Sequence, residues 1–168
     1  MDRQISLPDP ANLKDDADVI GTDGDENDGA TGPGPRFDLS IQVWHPDLDT
    51  ALLTQGLGRE PFRSWRAGEP RATMRGDPLP GVWPGSYWVA DRTVRGDRKF
   101  FAALEREVES LEASASLIGH IVTGGGTVHL KFGLPGDVNI GDVLSPIMMK
   151  RLGALGVGLD IEVFPDMD

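Results

Sequence analysis

The chain has 168 residues, a formal net charge of −11 and no cysteine, and 39% of its residues are hydrophobic. This length predicts one domain, and the acidic balance disfavours nonspecific nucleic-acid binding, which needs lysine and arginine to replace counterions along phosphates. The lack of cysteine excludes disulfides, thiolate catalysis and thiolate metal sites.

The first 35 residues carry nine acidic and two basic groups and no aromatic residue, which leaves a net charge of −4 for the rest. Such a segment cannot bury enough apolar surface to offset its chain entropy. We therefore predict a disordered acidic leader over residues 1–35 and a single α+β domain over residues 36–168. The start, MDRQISLPDP, lacks the apolar stretch of a signal peptide, and no apolar run reaches the roughly 20 residues of a membrane span. We expect a cytoplasmic protein without membrane contact.

The first half of the folded part begins with a strand pattern and a helix pattern. FDLSIQVW alternates apolar and polar residues and predicts a half-buried strand. HPDLDTALLTQGLG predicts a helix that begins near Pro46 and ends at Gly56 or Gly58. Residues 59–85 carry five prolines and predict a long loop or a broken edge strand, and SYWVA predicts a short strand.

The second half gives clearer signals. DRKFFAALEREVESLE predicts a helix with one buried face. SLIGHIVT and TVHLKFGL flank three glycines and predict a hairpin. LSPIMMKRLGALG predicts a helix with Ser145 as N-cap, and VGLDIEVF predicts a closing strand with its apolar residues inward and Asp160 and Glu162 outward. The order β-α-β-α-β-β-α-β predicts an α+β fold, with one mixed, mostly antiparallel sheet and about three helices on one face.

The predicted hairpin has a chemical consequence. A two-residue Gly124–Gly125 turn sets His120 opposite His129 on the polar face, with Cβ atoms ~5 Å apart, and leaves the other face apolar. A three-glycine loop sets His120 against Leu130 instead. Two facing imidazoles could hold a metal ion with an outward carboxylate. No H-x-H or H-E-x-x-H pattern supports a metal, so two surface histidines are the simpler interpretation.

Other catalytic signatures are missing. The chain has no G-x-S-x-G elbow and no Walker glycine loop. We predict no cofactor and favour a protein that is not an enzyme. One basic concentration stands out in this acidic chain and could bind a phosphate or a carboxylate, although acidic residues lie among it. It consists of Arg59, Arg63, Arg66, Arg71 and Arg75.

Trp65, in the stretch SWRAGEP, has two possible roles. It either anchors the long loop to the body of the domain or contacts a partner. A loop of ~27 residues is unusual without an anchor, and a tryptophan buries a large area at a low entropic cost. The sequence therefore favours the anchor, and the partner contact stays open.

Residues 37–164 resemble a bacterial family described as domain of unknown function 4279. The family opens with an aromatic strand, a short helix that ends in L-G, a proline, and then W-x-x-G-D/E. The matching positions in this sequence are Leu57, Gly58, Pro61, Trp65, Gly68 and Glu69. Trp88 in SYWVAD matches a tryptophan-centred strand, and LDIEVF matches the closing strand. The resemblance implies the same α+β fold and attaches no activity or catalytic residue.

Three hypotheses for function follow. The first is a non-enzymatic protein-interaction module, such as an immunity protein that neutralises a basic partner through the outward residues Asp38, Asp160 and Glu162. The second is a sensor of a small molecule or anion that uses the arginine-rich loop. The third is a metal-dependent hydrolase on the face of His120 and His129. The oligomeric state has no signal in the sequence. The candidate binding residues are Arg63, Trp65, Arg66, Glu69, Asp160 and Glu162.

Overall fold

The computed structural model describes residues 36–95, 100–136 and 139–165, with the backbone alone for Arg36 and for residues 91–95. The predicted leader, residues 1–35, lies outside these ranges. The described chain forms seven strands and four helices. In chain order they are β1 (Arg36–His45), α1 (Thr50–Leu57), β2 (Arg63–Trp65), β3 (Pro70–Ala72), β4 (Pro78–Val82), β5 (Ser86–Arg95), α2 (Phe100–Glu112), α3 (Ala115–Thr123), β6 (Thr127–Pro135), α4 (Pro146–Leu155) and β7 (Val157–Phe164).

Five strands form one sheet in the order β2-β5-β1-β6-β7, and β3 and β4 form a separate two-stranded sheet. The central strand β1 pairs antiparallel with β5 and with β6. β6 and β7 are parallel, and α4 lies in the connection between them. The predicted α+β class and the mixed, mostly antiparallel sheet are confirmed. The strand order differs in part: residues 59–85, predicted as a long loop or a broken edge strand, contain the edge strand β2 and the small second sheet.

One face of the large sheet carries the hydrophobic core. The alternate β1 residues Phe37, Leu39, Ile41 and Val43 are at most 2% exposed, as the period of two in FDLSIQVW predicts. Buried side chains of the neighbouring strands lie on the same face, because residues paired across strands share a face. They are Trp88, Ala90, Val128, Leu130 and Phe132. The apolar faces of the helices cover this side of the sheet.

Helix α3 replaces the first strand of the predicted hairpin, so that prediction is wrong. Ile118 and Ile121 of α3 are buried, and a spacing of three places them on one side of a helix. The same apolar run also fits a strand, because a short apolar run does not distinguish the two by its period. The domain therefore has four described helices instead of three.

The three glycines end α3 and do not form a hairpin turn. The N–H of Gly124 donates to the carbonyl of His120, and the N–H of Gly126 donates to the carbonyl of Ile121. A Cβ on Gly126 would lie 2.6 Å from the backbone oxygen of Trp44, so only glycine fits there. The glycine run thus marks the end of a helix and a close approach to β1.

Strand β7 is buried only at its beginning. The sequence predicts inward positions for Val157, Leu159, Ile161 and Val163, but exposure rises from 6% at Val157 to 47% at Ile161 and 60% at Val163. β7 is the last strand of the sheet. The alternating pattern gives the face on which a side chain lies, and it does not say whether other elements cover that face.

The ends of two helices follow local signals in the sequence. The predicted start of α1 near Pro46 is wrong, because the helix begins at Thr50 with Asp49 as its cap, which accepts from the N–H of Ala51. Gly58, one of the two predicted ends, ends it with φ at 62°. Ser145 caps α4 by accepting from the N–H of Met148, and Gly156 ends it with φ at 71°. Ser145 was the predicted cap. None of the described helices has the length and apolar character needed to cross a membrane.

A buried ion pair joins α2 to the segment that follows α1. Glu107 of α2 is 2% exposed, a position where an unpaired carboxylate would be costly. Arg59 Nη1 lies 2.5 Å from Glu107 Oε1. Arg59 Nη2 also donates to Ser110 Oγ at 3.0 Å. Arg59 is therefore the counter-ion of Glu107.

We expect Arg59→Ala to lower the free energy of unfolding by about 3–5 kcal/mol, because it leaves a buried carboxylate without its counter-ion. Urea denaturation measures the loss. Arg106→Ala, at an exposed position of α2, is the control and should change stability by less than about 0.5 kcal/mol. Replacing both partners, Arg59→Met with Glu107→Leu, should recover most of the loss. An Arg59→Ala effect no larger than that of the control would contradict this role.

Candidate binding groove

The sheet face opposite the helices carries a row of aromatic side chains at one end. Trp44 of β1 pairs with Tyr87 of β5, and Tyr87 pairs with Trp65 of β2. The three side chains point to the same face, because cross-strand neighbours share a face. Trp44 is 42% exposed, and Tyr87 and Trp65 are half-buried. The sheet face away from the helices is therefore aromatic at this end.

Trp65 stacks on two other aromatic rings. Its ring stacks on Trp83 with centroids 4.1 Å apart and an interplanar angle of 19°. It also stacks on Tyr87 with centroids 4.5 Å apart and an angle of 26°. Trp83 follows β4, so the stack attaches the small β3–β4 sheet to the large sheet. We call residues 70–83, which contain β3, β4 and Trp83, the arm. Stacked aromatic pairs add about 0.5–1.5 kcal/mol each beyond the area that they bury.

Two arginines lie over the tryptophans of this stack. The guanidinium carbon of Arg63 is 4.8 Å from the centroid of a Trp65 ring, and that of Arg71 is 5.2 Å from the centroid of a Trp83 ring. Both distances are in the range of cation–π attraction. Neither arginine has an ion pair with any described residue. The two guanidinium groups therefore contact aromatic rings, and their N–H donors have no carboxylate partner in the part of the chain that the structure describes.

A tight turn sets the position of Trp83 against Trp65. Gly68, with φ at 81°, donates its N–H to the carbonyl of Trp83, and the N–H of Trp83 donates to the carbonyl of Glu69. The Glu69 carboxylate accepts from the N–H of Arg66 at 2.8 Å. In this chain the W-x-x-G-E stretch thus builds a turn: the tryptophan stacks, the glycine takes a left-handed conformation, and the glutamate caps the turn.

A groove of about 440 Å³ lies between β2 and β3. One wall consists of four consecutive residues, Phe62 to Trp65, and the other comes from β3 and the turn after it. Phe62 is 64% exposed and Met74 is 69% exposed. The lining residues are Phe62, Arg63, Ser64, Trp65, Glu69, Pro70, Ala72, Thr73, Met74 and Trp83.

The predicted binding residues of the loop divide into two roles. Arg63 and Trp65 line the groove, with Arg63 free of ion pairs among the described residues. Glu69 also lines it, but its carboxylate is engaged in the turn. Arg66 Nη1 lies 3.4 Å from Asp49 Oδ2, so its charge is partly matched at the start of α1. The stack supports the anchor role of Trp65, because one neighbour is Trp83 of the arm and the other is Tyr87 of the sheet.

The three acidic residues that the sequence predicts to face outward lie on the same sheet face, and their charge is partly neutralised. We call these residues, Asp38, Asp160 and Glu162, the acidic row. Lys131 Nζ is 2.5 Å from Glu162 Oε2 and 3.8 Å from Asp160 Oδ2. The hydrogen bond to Glu162, together with the charges of both carboxylates, raises the pKa of Lys131. Asp38 lies on this face of β1 at intermediate exposure. The row therefore offers less free negative charge than the sequence suggests.

The predicted pairing of two histidines is wrong. His120 lies on the helix α3 and His129 on the strand β6, so they are not opposite residues of a hairpin. His129 pairs with Gln42 of β1, on the sheet face away from the helices. Within the ranges that the structure describes, no three histidine or carboxylate groups come together in a way that could hold a metal ion. The geometric basis of the metal-dependent hydrolase hypothesis is thus removed.

His45 has a structural role that the sequence did not indicate. It ends β1, is 6% exposed, and its Nδ1 accepts from the N–H of Asp47 at 3.1 Å and of Leu48 at 2.9 Å. The ring therefore caps the bend between β1 and α1. Trp83 and Tyr87 were also missed, because their neighbours in the stack come from strand pairing and the arm, which local patterns do not show.

We expect Trp65→Ala to lower the free energy of unfolding by about 2–4 kcal/mol, because it removes two ring stacks and part of a buried surface. Chemical denaturation measures the loss. Trp65→Phe keeps a ring in the stack and should cost clearly less. A change within about 0.5 kcal/mol for Trp65→Ala would contradict the anchor role.

The Lys131 contacts predict a stability effect at alkaline pH. A pKa raised in the folded state stabilises the fold below the unfolded-state pKa, near 10.5, and that stabilisation is lost as pH rises through the folded-state pKa. The stability difference between wild type and Lys131→Met should therefore be constant at neutral pH and shrink above about pH 10. Urea denaturation at several pH values tests this, with Lys150→Met at an exposed position of α4 as control. If the stability difference between wild type and Lys131→Met is as large above the pKa of lysine as at neutral pH, this prediction is wrong.

Comparison of the chain with models of known protein families, with curated proteins and with solved structures found no match. The resemblance to the family described as domain of unknown function 4279 therefore stays a prediction, and the interpretation of the groove depends on its geometry alone.

Proposed function

We propose that this protein is a non-enzymatic interaction module and that its ligand site is the groove between β2 and β3. One observation carries the proposal: Arg63 lines a groove of about 440 Å³ and lies over a ring of Trp65, Arg71 lies over a ring of Trp83, which also lines the groove, and neither arginine has an ion pair to any described residue. Arginines that packing already holds in place lose little side-chain freedom when they bind an anion.

The charge distribution supports an anionic ligand. Residues 59–77 hold five arginines and three acidic residues, whereas the chain from residue 36 onward has a net charge of −4. Arg59 and Arg66 are matched by Glu107 and Asp49, which leaves Arg63 and Arg71 without a described counter-ion to meet an anionic group. Guanidinium groups match carboxylate and phosphate geometry with two parallel hydrogen bonds. These charges support the arginine-rich loop of the sensor hypothesis as the binding region.

A basic partner on the acidic row has less support. Lys131 already contacts both Asp160 and Glu162, so a second cation would compete with an existing pair. The groove, by contrast, presents cations that no described carboxylate matches. We therefore propose that the ligand binds at the groove and not on the acidic row.

Selection from a random-peptide library, together with titration of inorganic phosphate and benzoate, tests the proposal. Binding to the wild-type protein is compared with binding to the double variant Arg63→Ala and Arg71→Ala. We expect at least one probe to bind the wild type and to lose about 10- to 100-fold in affinity on the double variant, as for the loss of charge-assisted hydrogen bonds.

The control is Arg106→Ala, which removes an exposed arginine of α2, outside the groove. Circular dichroism and a thermal melt establish that each variant is folded. If no probe discriminates the double variant from the control, the groove is not the ligand site and the proposal is wrong.

A further inference from the structure

The groove runs along the open edge of β2. Phe62, Arg63, Ser64 and Trp65 all line it, although successive residues of a strand point to opposite faces. Four consecutive residues border one space when that space lies along the edge of the strand. β5 pairs with the other edge of β2, and no described strand pairs with this one. The N–H and C=O groups that point away from β5 thus have no strand partner within the described residues.

The shape of the groove favours a chain segment over a small molecule. Every residue that lines it is exposed or half-buried. A small-molecule site encloses about 70–90% of its ligand, and walls as exposed as Phe62 and Met74 do not provide that enclosure. An extended peptide needs no enclosure, because main-chain hydrogen bonds to an edge strand hold it and side-chain contacts give specificity.

The side chains around the groove specify the chemistry of that segment. Arg63 and Arg71 provide guanidinium donors without a described carboxylate partner. Glu69 is the one carboxylate among the described lining residues, and it is engaged with the N–H of Arg66. Phe62 and Met74 provide exposed apolar surface beside the charges. Complementary residues are therefore acidic and apolar.

We infer that the partner of this protein docks through an extended segment of acidic and apolar residues, which adds to β2 as a further strand. The inference rests on the proposed function, since it names the occupant of the same groove. The backbone of the segment pairs with residues 63–65, its carboxylates meet Arg63 and Arg71, and its apolar side chains meet Phe62 and Met74. The segment is opposite in charge to the basic partner that the sequence suggests.

The peptides selected on the wild-type protein test the inference through their composition and their backbone. We expect the groove-dependent sequences to be rich in glutamate or aspartate and in apolar residues. The most enriched peptide is then synthesised with N-methyl groups at alternate amides. Methylation of the amides that face β2 should reduce affinity by about tenfold or more, and methylation of the others should not, because each blocked amide loses a strand hydrogen bond.

Hydrogen exchange gives an independent readout on the protein side. On binding of the same peptide, the outward backbone amide protons among residues 63–65 should exchange more slowly, because the added strand protects them. Arg63→Lys keeps the charge but loses the planar pair of donors, so it should weaken binding by a measurable part of the Arg63→Ala effect. Addition of salt should weaken binding of the wild type more than that of the double variant.

The outcomes separate this inference from the proposed function. Groove-dependent peptides that are basic, or whose affinity ignores N-methylation, overturn strand addition by an acidic segment and leave the groove as the ligand site. If phosphate or benzoate binds in a groove-dependent way and no peptide does, strand addition is likewise overturned and the groove remains the ligand site. Probes that bind the wild type and the double variant equally well count against the proposed function itself.

Discussion

The pairing of β1 on both of its edges is the constraint on which the rest of this fold depends. β5 lies on one side of it and β6 on the other, and its four inward side chains are almost completely buried. A strand in this position loses its hydrogen bonds and its packing together if its register shifts by one residue. The helices, the edge strands and the groove are all positioned relative to this strand.

The opposite face of the sheet has a smaller packing unit of its own. Trp65 stacks on Trp83 of the arm and on Tyr87 of the sheet, and two arginines lie over the tryptophan rings. The side chain that anchors the arm is therefore also part of the proposed binding surface. The sequence presents an anchor and a partner contact as alternative roles of Trp65. In the structure the ring of Trp65 stacks on Trp83 and so stabilises the arm, and the same residue lines the groove.

The positive groove on an acidic chain arises from the way charges are paired. Arg59 is matched by Glu107, Arg66 by Asp49, and Lys131 by two carboxylates. Arg63 and Arg71 pack on aromatic rings and have no described counter-ion. A local excess of guanidinium groups therefore remains at the edge of β2, although the net charge of the chain is negative.

The sequence by itself determined the local structure wherever the signal is local. The alternation of FDLSIQVW gave the buried face of β1, and Ser145 and Gly156 gave the bounds of α4, because backbone sterics and capping act over a few residues. The strand prediction for the segment that forms α3 is wrong, because a short apolar run fits a helix and a strand equally well and the glycines that follow suit the end of either.

The tertiary structure decided everything that depends on which distant segments meet. The stack of Trp65, the counter-ion of Glu107 and the exposure of the end of β7 each need a partner, or the lack of one, that is remote in the chain. Arg63 and Arg66 are close in sequence and both lie near Trp65, yet one packs on its ring and the other pairs with Asp49. Residue type gives the chemistry that a side chain can perform, and strand pairing and packing decide which chemistry is left free.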